Sequence, residues 1–410
     1  MDNFKITDKN RELQYRNMMD AINIYNAGIQ KDKSSLKTTK MRSLMNAYRL
    51  SEAYKNNTKV AYVGEQFPNE IVLAFNLNAW NIESMAILFS QSINTDRFFN
   101  LTQENNLSRD ICSFLRGPFG VMLSNSYPTP DIALANDQPC DCLAKLVNMA
   151  SKIYGCPFYT LNTPNYINED ALLYLVNQMK YLISEIESKL NIKFEQEQFN
   201  KVIAYSNEAR SYYCKIVELH RRATLPGVSR ELLEVFGMNY FGVKETVQIC
   251  KTLYQEALEM SKQSENTKKK RVLWVGQVPE GSHDLLDYLD DFVEVVFWPS
   301  LWESNLMILD PEEPLKSIAH RAILYHWNSE RMRINIEDIC KKFEIEGIII
   351  CNIWGCRNNL GLSSMIREFS REQNLKCLTL GLDLMDRNNY SFAYVKNRVD
   401  AFLEIILKVI

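Results

Sequence analysis

Val60-Ala61-Tyr62-Val63-Gly64 and Val272-Leu273-Trp274-Val275-Gly276 are the two stretches whose reading decides the fold. Each is a four-residue apolar run closed by glycine, too short for a helix and flanked like a buried strand. Each is followed by a second matching run. Ile132-Ala133-Leu134-Ala135-Asn136 leads through three residues to Cys140, and Ile348-Ile349-Ile350-Cys351-Asn352 leads through three residues to Cys356. A helical stretch comes next in both, then a strand opened by Cys156-Pro157 or by Cys377. The chain repeats a strand–Asn-x-x-x-Cys–helix–strand unit, and strands alternating with helices build a parallel sheet. The expected fold class is α/β: two Rossmann- or flavodoxin-like parallel-sheet domains related by duplication, with helical segments added.

Around these units the chain divides into four parts. Residues 1–58 read as a helical segment, with helices over 8–28 and 36–56 joined by Lys31-Asp32-Lys33-Ser34-Ser35. Residues 59–166 form the first α/β domain, with strands at 60–63, 131–135 and 157–161. Residues 167–267 are a helical connecting region. There Leu172, Val176, Met179, Ile183, Ile186 and Leu190 make one apolar stripe capped by Asn168, and a second helix covers 197–222. Residues 268–410 form the second α/β domain, with strands at 272–275, 293–297, 347–351 and 377–382 and a closing helix at 391–409. The run Lys268-Lys269-Lys270-Arg271 reads as a solvated edge between domains rather than a phosphate contact.

A formal charge of −3 leaves no basic excess to neutralise phosphates, which argues against a nucleic-acid partner. The opening Met1-Asp2-Asn3-Phe4-Lys5 begins no secretory h-region, and no apolar run reaches the length of a membrane span. A cytoplasmic protein without a membrane partner is expected. Ten cysteines over 410 residues are too sparse for a disulfide scaffold, and no CxxC or zinc-finger spacing occurs. Any metal site is therefore assembled by the fold from distant positions.

Ligands of open parallel sheets bind beyond the carboxyl ends of the strands. Cys140 and Cys356 each lie a few residues past such an end, so two halves facing across a cleft would bring these thiols together. Cys112 lies in Asp110-Ile111-Cys112-Ser113-Phe114-Leu115-Arg116-Gly117-Pro118, a helix start. There a helix N-terminus and Arg116 are expected to lower the thiol pKa and favour the thiolate that iron needs. A cubane cluster uses one thiolate per iron, so three would leave one iron open. Packing is the reading for Cys214, Cys250, Cys340, Cys156 and Cys377, and for the near misses Cys142 and Cys351. On spacing alone, packing stays open for Cys112, Cys140 and Cys356 as well.

Several segments together resemble one family. Cys112-Ser113-Phe114-Leu115-Arg116 is similar to the Cys-Ser/Ala-aromatic-x-Arg segment of the 2-hydroxyacyl-CoA dehydratase and benzoyl-CoA reductase family. Pro130-Asp131-Ile132 through Asn136 and Cys140 to Pro157 and Pro164 resembles its second-cysteine region, and Glu346-Gly347-Ile348 through Cys356 its third. Gly381-Leu382-Asp383 with Asn397-Arg398-Val399-Asp400-Ala401-Phe402-Leu403-Glu404 resembles its closing segment, and Phe67-Pro68-Asn69-Glu70-Ile71 its Pro-x-Glu turn. The resemblance implies a [4Fe-4S] cluster on Cys112, Cys140 and Cys356, a related second subunit, and a separate ATP-hydrolysing iron–sulfur activator that injects one electron. It also implies an acyl-CoA thioester substrate, whose carbonyl becomes a ketyl radical anion so that a poorly activated hydroxyl can leave.

The chain departs from that pattern after the first strand, where Val63-Gly64-Glu65-Gln66 stands in place of a hydroxyl residue found in catalytic subunits. Glu65 is either substrate-facing, and so a candidate catalytic residue, or a loop carboxylate. The absence of cysteine between 251 and 339 argues against a double-cubane relative. His220, His283, His320 and His326 show no ligand spacing, and Gly276-Gln277-Val278-Pro279-Glu280-Gly281 has the wrong spacing for a dinucleotide fingerprint. Trp298, Trp302 and Trp327 read as core, with Trp354 the tryptophan nearest a candidate ligand. The expected function is a subunit of an activator-dependent radical acyl-CoA dehydratase. A ring-reducing or other acyl-CoA reductase subunit and a non-catalytic electron-relay subunit stand as alternatives.

Overall fold

The computed structural model describes residues 36–408 except 56, 93–95, 238–239, 264–268, 280–282 and 327, together with a few isolated positions before 36. The helix expected over 8–28 lies outside the described residues, as do Lys268 and Trp327.

Among the described residues are two four-stranded sheets, and every strand pair in them is parallel. The first runs in the order β2-β1-β3-β4, with β1 Val60–Val63, β2 Asn78–Asn81, β3 Ile132–Asn136 and β4 Phe158–Leu161. The second runs β6-β5-β7-β8, with β5 Arg271–Val275, β6 Glu294–Phe297, β7 Ile345–Ile353 and β8 Lys376–Leu382. The orders are the same once the strands are matched pairwise, which is the duplication expected. Strand β2 carries no apolar run. Its Asn78-Ala79-Trp80-Asn81 becomes a strand because Val60↔Asn78 through Val63↔Asn81 pair it to β1, so tertiary pairing overrides a weak local signal.

Side chains alternate across each sheet with the period of a strand. Val60, Tyr62 and Trp80 share one core with Val272, Trp274 and Ile349, so a single apolar cluster is continuous across both sheets. Ala61, Val63, Ile132 and Leu134 face the other way, onto the helices Glu169–Leu190, Gln196–Arg222 and Lys244–Gln263. Leu273, Val275, Ile348 and Ile350 do the same toward Trp298, Met332 and Phe369. The helix Glu169–Leu190 starts where Asn168 Oδ1 accepts the Ala171 N–H at 2.8 Å, as its sequence predicts.

Buried ion pairs fasten the helical region to both sheets. Glu70, in the helix after β1, accepts both Arg321 Nη1 (2.7 Å) and Nη2 (2.6 Å) and the Ser206 hydroxyl (2.9 Å). Arg271 opens β5 and donates to Glu294 (2.7 Å) and to the carbonyls of His220, Arg221 and Ala223. Arg271 is 2% exposed, so at this residue the basic run is a buried anchor and not the solvated edge expected. Lys270 donates to Glu346 (2.9 Å) and to the Ile406 carbonyl (2.7 Å). Among the described residues no helix is long and apolar enough to cross a membrane.

Candidate functional site

Cysteine stands at the start of three of the described helices. Cys112 is the N-cap residue of Ser113–Leu123, Cys140 of Asp141–Tyr154, and Cys356 of Arg357–Glu372. Cys140 and Cys356 follow β3 and β7, the strands beside the point where each sheet's order reverses, which is where ligands of doubly wound sheets bind. Two contacts bring the three turns together. Gly355, at φ +76°, lies against the Cys112 backbone, where a Cβ would stand 2.4 Å from its nitrogen. The Asn358 side-chain amide donates to the Pro139 carbonyl, one residue before Cys140. The turns that carry the three sequence-predicted cysteines therefore meet at one junction, two from the first half of the chain and one from the second.

All ten cysteines are thiols. Among the described residues no three His, Cys, Asp or Glu side chains converge so as to hold one metal ion. Burial pushes the Cys112 thiol up to about 12, and the nearby Cys356, Asp383 and Glu83 add to it against a lowering contact from the Phe114 N–H. The expectation that Arg116 lowers this thiol is overturned, because its guanidinium is engaged elsewhere. Arg116 Nε donates to the Ile111 carbonyl at 2.8 Å, Nη2 to Asp383 at 3.4 Å, and Nη1 lies 3.5 Å from Asp386. The Cys140 thiol is raised by a hydrogen bond with Cys142, then by burial and Glu83. Cys351 is fully buried and is raised by burial and by Cys356. Cys142 and Cys351 thus stand close behind the candidate ligands. Cys250 and Cys340 are buried, and Cys214 donates to the Leu306 carbonyl at 3.4 Å.

A pair of carboxylates borders the same junction. Glu65 follows β1, and its N–H donates to Glu83 Oε2 at 2.9 Å. Glu83 sits in the first turn of the helix Ile82–Ser92, where Asn81 Oδ1 accepts the N–H groups of Glu83 and Ser84, each at 3.1 Å. Burial pushes Glu65 up to about 7, and Glu83 is raised well above the usual carboxylate range by burial and then by Glu65. Sequence reading found Glu65 and missed Glu83. The signal for Glu83 was an Asn cap ahead of an acid, but the cap ends a strand that had not been recognised. Around the pair, Gln66 Oε1, Asn81 Nδ2 and Asn136 Oδ1 are buried without a hydrogen-bond partner.

Trp354 is half exposed, with its backbone N–H on the Leu382 carbonyl at 3.0 Å, while Trp298 and Trp302 are buried and 5.0 Å apart between ring centroids. Of the histidines, His220 is buried 3.0 Å from Glu294. A cavity of about 860 Å³ opens between the helices Gln196–Arg222 and Ser329–Lys342, and it shares no residue with the cysteine turns.

A duplicated pair of parallel sheets, with cysteine turns from both halves and a carboxylate pair at their junction, defines a class of two-part α/β proteins with a site between the repeats. The family model described as 2-hydroxyglutaryl-CoA dehydratase, D-component, matches residues 66–406, and the chain belongs to that family. It is 20% identical over 383 residues to a subunit of the benzoyl-CoA reductase of Thauera aromatica, covering 82% of this chain and 86% of the relative. It is 23% identical over 175 residues to the alpha subunit of (R)-2-hydroxyisocaproyl-CoA dehydratase of Clostridioides difficile, covering 39% and 43%. The family is one of subunits of acyl-CoA dehydratases and reductases.

Proposed function

We propose that this chain is the [4Fe-4S] subunit of an activator-dependent acyl-CoA dehydratase, with Cys112, Cys140 and Cys356 as the cluster ligands. The observation that carries the reading is the junction itself, where Gly355 seats Cys112 beside Cys356 and Asn358 ties the Cys140 turn to them. The donor set fits the cluster. A cubane takes one thiolate on each of several irons, so its ligands surround a volume and do not converge on a point. Three cysteine-bearing turns that meet at one junction suit ligands arranged in that way. N–H groups at two helix starts face the Cys112 and Cys140 sulfurs, the kind of hydrogen bond that such clusters use.

When bound, the cluster would supply a low-potential electron and an open Lewis-acidic corner for a thioester. The chain's own residues handle position and protons. Burial and then Glu65 raise Glu83 well above the usual carboxylate range, which favours its protonated form, while its Oε2 accepts the Glu65 N–H. Glu65, near 7, can exchange a proton with solvent at working pH. A neutral carboxyl here avoids like-charge repulsion with an electron-rich thioester.

A second reading, an acyl-CoA reductase subunit, is favoured by the coverage of the reductase relative, which is 82% of this chain against 39% for the dehydratase relative. A related second subunit and an ATP-hydrolysing activator belong to either reading, and both fit a reducing cytoplasm. The test is anaerobic purification with iron and sulfide analysis, followed by a screen of 2-hydroxyacyl-CoA and aromatic acyl-CoA thioesters with a partner subunit, an ATP-hydrolysing activator and ATP supplied. About four irons per chain with dehydration of a hydroxyacyl thioester is the expected result. Ring reduction would move the assignment to the second reading, and a chain that never holds iron would end both.

A further inference from the structure

The segment just after β8 grips Cys112 from both sides. On one side, Arg116 Nε donates to the carbonyl of Ile111, and the same guanidinium reaches Asp383 (3.4 Å) and Asp386 (3.5 Å). On the other, the Met385 N–H donates to the hydroxyl of Ser113 at 3.1 Å. Arg116, Asp383 and Asp386 are 2%, 5% and 4% exposed, and the Phe99 ring lies 4.8 Å from the guanidinium carbon. Asp383 is further fixed by the N–H groups of Met385 (3.1 Å) and Asp386 (3.0 Å) and by the Asn389 amide (3.0 Å). One guanidinium faces two buried carboxylates, so the set carries a net negative charge where screening by water is weak.

We propose that Asp386 and Asp383 set the reduction potential of the iron–sulfur centre at Cys112, with Arg116 as the positioning residue that fastens the Cys112 turn to them. The inference rests on the cluster reading above. Cluster potentials respond to nearby net charge and burial. A fixed negative charge at a poorly screened site makes one-electron reduction harder, and its strength falls only slowly with distance there. The arrangement would hold the centre at low potential, so that only a strong reductant loads it. Sequence alone separates the parts by 267 positions, from Arg116 to Asp383.

The test uses the full chain, prepared anaerobically and reconstituted with iron and sulfide, as wild type, Asp386→Asn, Asp383→Asn and the control Glu197→Gln, an exposed acid of the helical region. Iron content and an EPR-monitored redox titration are read for each. Asp386→Asn and Asp383→Asn are expected to keep their iron and titrate at higher potential than wild type, while Glu197→Gln titrates with wild type. Unchanged midpoints in both Asp variants overturn the proposal, as does an equal shift in Glu197→Gln. Loss of iron from both Asp variants in natively folded protein also overturns it, because the segment would then act on retention alone. Iron fully retained in Cys112→Ser would instead defeat the cluster reading, and that outcome is separate from the others.

Discussion

Gly355 lies so close to Cys112 that a Cβ on the glycine would stand 2.4 Å from the Cys112 nitrogen and 2.9 Å from its Cα. The contact joins the turn before one candidate ligand to the backbone of another, across more than half the chain. Gly355 also has φ +76°, a conformation that side chains resist. Gly355→Ala should therefore destabilise the fold by on the order of 2–4 kcal/mol, from strain and overpacking together. Denaturant midpoints give the cost. Iron content should fall as well, since the clash pushes Cys112 and Cys356 apart, and a variant of wild-type stability and full iron would contradict the contact's role.

Ligand assignment gives a sharper test. Cys112→Ser, Cys140→Ser and Cys356→Ser should each lose cluster iron under anaerobic preparation, whereas Cys142→Ser and Cys351→Ser should keep it. Cys142 meets Cys140 by a hydrogen bond and Cys351 is fully buried, so both are near the site without opening a helix there. Full iron in Cys140→Ser would remove that residue from the set.

The Glu70–Arg321 pair carries a stability prediction with a definite pH window. Burial pushes the Glu70 carboxyl up, but Arg321 outweighs it and brings the group down to about 2. An unfolded Glu titrates near about 4.3. A depressed folded value means the stabilisation, about 3 kcal/mol, is present above the unfolded value and is lost as pH falls through about 4 toward 2. Equilibrium unfolding between pH 2 and 5 should show this acid limb, and Glu70→Gln should lack it. Arg321→Met leaves Glu70 buried without its ion-pair partner, with the Ser206 hydroxyl and the nearby Arg210 remaining, and should cost about 3 kcal/mol at neutral pH.

What the sequence disclosed and what it hid follow one physical line. Val60–Val63 and Val272–Val275 were legible because burial on both faces writes a continuous apolar run. Asn78–Asn81 was not, since pairing with β1 and not composition makes it a strand. That omission also hid Glu83, which the end of β2 delivers to the cysteine junction. Arg116 was noticed and given the wrong partner. A neighbour in sequence is a poor guide to where a long guanidinium goes, and Asp383 lies at the far end of the chain. Glu70 was seen as part of a turn, but its partners Ser206 and Arg321 come from two other regions.

Assembly predicts inertness. Subunit designations in both relatives suit a chain that works with a partner subunit, and the proposed function adds an activator. The isolated chain, loaded with cluster and given thioester, should turn over nothing until activator, partner and ATP are added. Steady turnover by the chain alone would refute this.

Glu65 offers the pH prediction opposite in sign to that of Glu70. Burial raises its folded value to about 7, while an unfolded Glu titrates near about 4.3. Below about pH 4 both states are protonated, and the carboxyl imposes no penalty. Between about pH 4 and 7 the unfolded state gives up its proton while the folded state keeps it, so stability falls as pH rises. Above about 7 the folded state must hold a partly buried anion beside Glu83, and the penalty levels off at its full value. Glu65→Gln keeps the backbone N–H that Glu83 accepts and removes the ionisation. The variant should therefore match wild type near pH 4 and exceed it at pH 8, as read from denaturant midpoints of the apoprotein at both pH values. Activity should move the other way if Glu65 exchanges the proton at working pH, with the pH profile of Glu65→Gln losing the limb near 7. Identical stability differences at pH 4 and pH 8 would show that Glu65 meets water freely in the folded chain, and its place beside Glu83 would then carry no proton chemistry.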